Sequence, residues 1–139
     1  MEITGKKIGF IITDSFCNFQ KLLSQMKTLK KLGADLLPLI DNFALDISKN
    51  LEKEIETICE NKILHTIEDI KSISHKNLTD IIIIAPASEN TISKLAYDII
   101  DTPATLAVKS HLRNNLPVVI AVSTPDGLRS QLDKYCNSY

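Results

Sequence analysis

Four consecutive isoleucines, Ile81 to Ile84, lie between Asp80 and Ala85-Pro86 with no polar residue among them. A short apolar run without alternation is the pattern of a strand covered on both faces, as in a parallel sheet. Residues 7–12 (Lys-Ile-Gly-Phe-Ile-Ile), closed by Thr13-Asp14-Ser15, and residues 117–122 read the same way. Residues 34–40 predict a further strand, made irregular or late by Pro38. Between these runs the spacing changes to three and four. Phe16, Phe19, Leu22, Leu23, Met26, Leu29 and Leu32 predict a helix over 16–32, with Asp14 or Ser15 as N-cap and Gly33 as its stop. Leu51, Ile55 and Ile58 predict a helix over 51–59, and residues 62–64 a short third strand. Thr66-Ile-Glu-Asp69 is a capping box with Asp in its fourth place. Helices are expected over 89–98 (Ile92, Leu95, Ala96, Ile99), from Pro103 to Asn114, and beginning at 128–135. Strand alternating with helix predicts an α/β fold, a doubly wound parallel sheet with right-handed crossovers, helices on both faces and strand order 3-2-1-4-5.

Composition narrows the function. With 139 residues the chain is expected to form a single domain over 1–139. Sixteen Lys+Arg against seventeen Asp+Glu leave a net charge of −1, so no basic excess exists to neutralise nucleic-acid phosphates. Four Phe, three Tyr and no Trp also offer few platforms for stacking bases. The longest apolar run, residues 81–87, falls far short of the ~20 residues a membrane helix needs. Cys17, Cys59 and Cys136 are odd in number and lack a CxxC pair, which argues against a disulfide framework or thiolate metal site and fits a reducing cytoplasm. His65, His75 and His111 show no metal-ligand spacing, so no metal is expected.

Ligands of doubly wound sheets bind beyond the carboxyl ends of the strands, where strand order reverses. For the expected order this is between the first and fourth strands. The loops there are Thr13-Asp14-Ser15-Phe16-Cys17 and Pro86-Ala87-Ser88-Glu89-Asn90-Thr91. Each opens a helix, and unpaired amides at a helix start together with Ser and Thr hydroxyls favour a phosphate. Asp14 would repel one unless it points away or caps the helix. Simple N-capping accounts for the same hydroxyls.

The segment Ile84-Ala-Pro-Ala-Ser-Glu-Asn-Thr-Ile-Ser-Lys-Leu-Ala96 resembles the Pro-Ala-Ser-Ala-Asn-Thr motif of the homo-oligomeric flavin-containing cysteine decarboxylases, which include phosphopantothenoylcysteine decarboxylase. Asp101-Thr-Pro103, Ala107-Val-Lys109, Leu112-Arg-Asn114 and Pro117-Val-Val-Ile-Ala-Val-Ser-Thr124 with Asp126 resemble one branch more closely, the B-subunit family of dipicolinate synthase. Gly5 to Phe10, Thr13 and Ser15-Phe-Cys17 also fit, so the resemblance covers nearly the whole chain. It implies a Rossmann-like flavoprotein fold and FMN as cofactor. Thr13, Asp14, Ser15 and Phe16 would hold the flavin phosphate, and Pro86, Ala87, Ser88, Asn90 and Thr91 would line the flavin and substrate pocket. Asn90 is the single candidate for a catalytic residue; Asp41-Asn42 is a poorer match to a further ligand position. The implied role is the B-subunit-like part of a sporulation-linked oxidoreductase. It would form dipicolinic acid from a dihydrodipicolinate-type intermediate of the lysine pathway. Its partner would be the larger A subunit of dipicolinate synthase, which would carry NADP. The family also implies a cytoplasmic homo-oligomer, a trimer or a multiple of one.

Three departures are visible. The decarboxylases carry Pro-x-Met-Asn after the fifth strand, where this chain reads Val122-Ser-Thr-Pro-Asp126. Their His before the fourth strand has no match at proper spacing; His75 and His65 read as surface or capping residues. The family continues with another strand and a flap, which a chain ending at Tyr139 would lack. The alternatives are thus an FMN-dependent decarboxylase and a non-catalytic flavin-binding or assembly component. Cys17 reads as a packed residue, Lys94 and Lys109 as solvated faces, and Arg113 as a residue for an oligomer contact.

Overall fold

In the computed structural model residues 2–13, 19–41, 49–75 and 79–122 are described. The elements run β1 (Lys7–Ile12), α1 (Phe19–Lys31), β2 (Asp35–Ile40), α2 (Lys49–Cys59), α3 (Ile67–His75), β3 (Ile81–Ala87), α4 (Glu89–Ala96), α5 (Pro103–Arg113) and β4 (Val118–Val122). The helix expected at 128–135, the segment after Val122 and Cys136 lie outside the described residues, as does the side chain of His75. All pairings are parallel, and the sheet order is β2-β1-β3-β4. The fold class is therefore as expected, but the five-strand order 3-2-1-4-5 is not. Residues 62–64 make only one parallel bridge, Leu39 to Leu64, outside β2. The would-be strand has no length: Glu60 leaves α2 at φ 58°, and Thr66 already begins the cap of α3.

The same edge explains Pro38. The amides of Asp35 and Asp41 turn toward β1, donating to Lys6 and Ile12, whereas Ile40 donates outward to Leu64. Pro38 shares the outward phase, so its missing N–H costs the β1–β2 ladder nothing, and its carbonyl accepts from Leu64.

Strand alternation divides the core. Ile8, Phe10 and Ile12 pack with Leu22, Leu23, Met26 and Ile55 of α1 and α2 on one face. Ile11, Ile82 and Ile84 pack with Ile70, Ala104, Ala107 and Val108 of α3 and α5 on the other. The isoleucine run of β3 feeds both layers, because successive side chains of a strand point to opposite faces. At the sheet edge, Val119, Ile120 and Val122 of β4 are exposed.

Capping follows local chemistry. Thr66 and Asp69 form the reciprocal box that the sequence suggests: Asp69 N–H donates to Thr66 Oγ1, and Thr66 N–H to Asp69 Oδ2. These bonds hold the Asp69 carboxyl below its ordinary pKa. Thr102 and Thr105 make a second box at the start of α5. Gly33 ends α1 at φ +87°, and a Cβ there would lie 3.3 Å from Thr4 Cα. Lys94 and Lys109 are not free on solvated faces: both close onto the α4–α5 connection, Lys94 reaching forward to Asp101 at 2.9 Å and Lys109 back to Asp98.

His111 is buried under α5, on the apolar stripe that continues Ala104, Ala107 and Val108. Its Nε2 lies 2.6 Å from Thr79 Oγ1, while Nδ1 has no hydrogen-bond partner among the described residues. Burial lowers its pKa; the carbonyls of Pro117 and Thr79 and the charge of Asp80 pull the other way.

Gly33→Ala forces a left-handed backbone on a residue with a Cβ and is expected to cost about 1–2 kcal/mol in denaturant unfolding. His111, with its folded pKa below the unfolded value of about 6.5, binds its proton more readily in the unfolded chain. Stability should therefore fall as pH drops below about 6.5 and level off above it, and His111→Gln should remove that slope. Asp69, lowered in the folded state, acts only near and below the carboxylate range of about 4, so the two contributions separate in pH titrations of unfolding.

Candidate functional site

Strand order reverses between β1 and β3, since the connection from β1 leads to β2 on one side and β3 lies on the other. The carboxyl ends of those strands therefore diverge into separate loops, and the described part of the crevice is Thr13, Asp41 and residues 86–91. Asp14, Ser15, Phe16, Cys17 and Asn42 lie outside the described residues.

The end of β3 is irregular. The β1–β3 ladder stops at Ile11–Ile84, and the β3–β4 register shifts between Ile84 and Ala87. Ala85-Pro86 is a cis peptide within this stretch. Across it reaches Thr13, 2% exposed, whose Oγ1 donates to the Pro86 carbonyl at 2.9 Å and accepts from the Ser88 amide at 2.8 Å. This hydroxyl thus both donates and accepts inside the protein.

Ser88 is the N-cap of α4. Its Oγ accepts from the Thr91 amide at 3.2 Å and lies 2.9 Å from Thr91 Oγ1. The capping interpretation of Ser88 and Thr91 thus holds for their hydroxyls, and Thr91 is itself buried. The amides of Glu89 and Asn90 precede the first intrahelical donor, Ile92, whose N–H bonds to the Ser88 carbonyl, so the helix itself supplies them no acceptor. Asn90 is exposed, while Pro86 and Ser88 are half-buried and Ala87 is packed into the core. Of the residues expected at the site, the structure brings together Thr13, Pro86, Ser88 and Thr91 by direct contact, with Asn90 open beside them.

Asp41 ends β2 on this same edge, 1% exposed, its amide bonded to the Ile12 carbonyl. Glu89 adds a second carboxylate in the first turn of α4. Two groups lie elsewhere. Cys59 is buried on the α2 side, with its thiol pushed up to about 11 by burial, so it is not a nucleophile. The His111–Thr79 pair is at the opposite, amino-terminal end of the sheet. Sequence reading missed that pair, although the Ala104, Ala107, Val108, His111 spacing marks an inward-facing His. His65 donates its amide to Asp69 Oδ2 and takes part in the α3 cap.

Comparison with known proteins matches this architecture. Residues 1–131 match the model of the flavoprotein family. The B subunit of dipicolinate synthase from Bacillus subtilis (strain 168) is 32% identical over 133 residues, covering 91% of this chain and 66% of that protein. The chain thus spans just under two-thirds of that relative's length. The crystal structure of the dipicolinate synthase B subunit from Bacillus halodurans superimposes with a TM-score of 0.80 at 32% identity, over 92% of this chain and 69% of the other. The FMN-dependent cysteine decarboxylase SpaF shares the fold, with a TM-score of 0.75 at 17% identity over 90% of this chain and 72% of the other. The chain belongs to the flavoprotein family and is a homologue of the dipicolinate synthase B subunit.

Proposed function

We propose that this chain binds FMN in the crevice between the ends of β1 and β3. In this reading it serves as the B-subunit-like component of a dipicolinate synthase, partnered by the A subunit of that enzyme. The observation that carries the reading is the joined pair of strand ends at the switch point, with the N-cap of α4 bonded to the end of β1. The residues present suit a flavin phosphate. The amides of Glu89 and Asn90 are N–H donors at a helix start, and Ser15, two residues after Thr13 in the sequence, would add a hydroxyl. Asn90, the exposed amide side chain here, would orient a flavin edge or a substrate carboxylate.

Bound FMN would supply redox chemistry, and the protein would supply position and electrostatics. Thr13, Ser88 and Thr91 keep the α4 turn rigid, and Asn90 remains the candidate for contact with reacting atoms. Substrate specificity toward a dihydrodipicolinate-type intermediate, NADP chemistry on the larger partner, a cytoplasmic setting and a link to sporulation belong to the same proposal. They are supported by the similarity to the dipicolinate synthase B subunit. A homo-oligomer, a trimer or a multiple, is supported by the exposed apolar residues Tyr97, Ile99, Leu112, Val119 and Ile120. A monodisperse monomer in light scattering would remove that part.

The test is a visible absorption spectrum after incubation with excess FMN and desalting. Flavin bands should be retained, and Ser15→Leu and Asn90→Leu should each weaken binding by at least about tenfold, about 1.4 kcal/mol. A wild-type protein that stays colourless would overturn the flavin reading. Turnover should then require the added A subunit. Turnover of a cysteine conjugate by this chain alone would establish the decarboxylase alternative instead.

A further inference from the structure

We propose that Thr13 is the positioning residue of the site: its hydroxyl sets where the α4 turn stands and does not itself contact the ligand. This rests on the flavin reading above.

Regular β1–β3 pairing ends at Ile11–Ile84, and the strand then shifts register before Ala87. Such an irregularity takes the last carbonyls of β3 and the amide of Ser88 just beyond it out of regular ladder pairing, and buried backbone groups of this kind need other partners. Thr13 supplies both from one atom. Its Oγ1 donates to Pro86 O at 2.9 Å and accepts from Ser88 N at 2.8 Å, and its own amide points to the same carbonyl at 3.4 Å.

The atoms so held are not incidental. Ser88 is the N-cap of α4, its Oγ fixes the Thr91 amide, and the Glu89 and Asn90 amides follow it directly. Moving Ser88 moves the backbone donors that α4 presents to the crevice. With its one O–H committed to Pro86 O and the residue 2% exposed, Thr13 could donate to a ligand only by giving up a bond that holds this turn. Thr13 thus couples the end of β1 to the turn between β3 and α4, beside which the ligand would lie.

Thr13→Val keeps the shape of the side chain and removes its donor and acceptor. FMN affinity, read by flavin fluorescence, should fall by at least about tenfold, because the Ser88 amide loses its acceptor and the Pro86 carbonyl keeps only the long bond from the residue 13 amide. Thr13→Ser should bind within about threefold of wild type, since it keeps the hydroxyl. Gly33→Ala, which strains the end of α1 at the opposite, amino-terminal edge of the sheet, serves as control. It should lower stability and leave FMN affinity unchanged, which a general loss of stability at Thr13 could not mimic.

Amide hydrogen exchange in the wild-type protein without flavin gives an independent measurement. The Ser88 amide should be protected, and in Thr13→Val it should exchange faster together with the first turn of α4. Wild-type affinity in Thr13→Val would overturn the positioning role and leave the flavin reading standing. Failure of the wild type to take up FMN would overturn both, and is distinguished by that blank spectrum. A fully unprotected Ser88 amide in the wild type would overturn the clamp even if Thr13→Val fails to fold.

Discussion

Parallel pairing of β1 between β2 and β3 is the constraint on which the rest of this molecule depends. A central strand in a parallel sheet must be apolar on both sides, and Ile8, Phe10, Ile11 and Ile12 are all buried. Gly9 completes the strand where space runs out: a Cβ there would come within 2.7 Å of Ile82 Cδ1. Because all strands point the same way, their carboxyl ends gather along one edge. The reversal of order beside β1 opens that edge between β1 and β3. The crevice is thus a consequence of topology before any side chain lines it. Asp80 reinforces the ladder at the other end, where its carboxylate accepts from the Lys7 amide at 2.8 Å and its amide donates to the Lys7 carbonyl at 2.7 Å.

At the carboxyl edge the same ladder has to end, and its ending creates the polar architecture. Thr13, Ser88 and Thr91 form a short chain of hydroxyls and amides in which each group satisfies another. Buried polar networks of this sort are stiff because an unpaired member is costly. The stiffness leaves the exposed Asn90 on a rigid base, which is the arrangement a binding site needs if it is to hold a planar ligand in one orientation.

Much of this could be read from residue pattern, for identifiable reasons. The isoleucine run of β3 and the three- and four-residue spacing of α1, α4 and α5 are strong periodic signals, and each element formed where its pattern lies. The Thr66–Asp69 cap was legible because its chemistry is local. The third strand was not: three residues between a left-handed Glu60 and a helix cap show an apolar pattern but have no room for a ladder. The role of Thr13 was also out of reach. A Thr at a strand end reads as a ligand donor, and only the three-dimensional meeting with residues 73 and 75 positions away shows the hydroxyl to be engaged. The Thr79 partner of His111 and the ion pairs of Lys94 and Lys109 were hidden similarly, since a polar residue on a helix does not announce which neighbour the fold will bring to it.

Charge at the crevice decides how an anionic ligand could be held. None of the described residues at the two strand ends and in the first turn of α4 is basic, and Asp41 and Glu89 contribute carboxylates. A phosphate would gain little there from long-range attraction, and the whole chain carries a net charge of only −1. In the flavin reading proposed above, binding would come from short-range neutral donors such as the backbone amides at the start of α4. Such donors act only when aligned to within a few tenths of an ångström, unlike a lysine that can follow its ligand on a flexible stem. A site of this composition therefore depends on the rigidity of its supports. That is why one buried hydroxyl joining β1 to the start of α4 carries more weight here than any single contact residue.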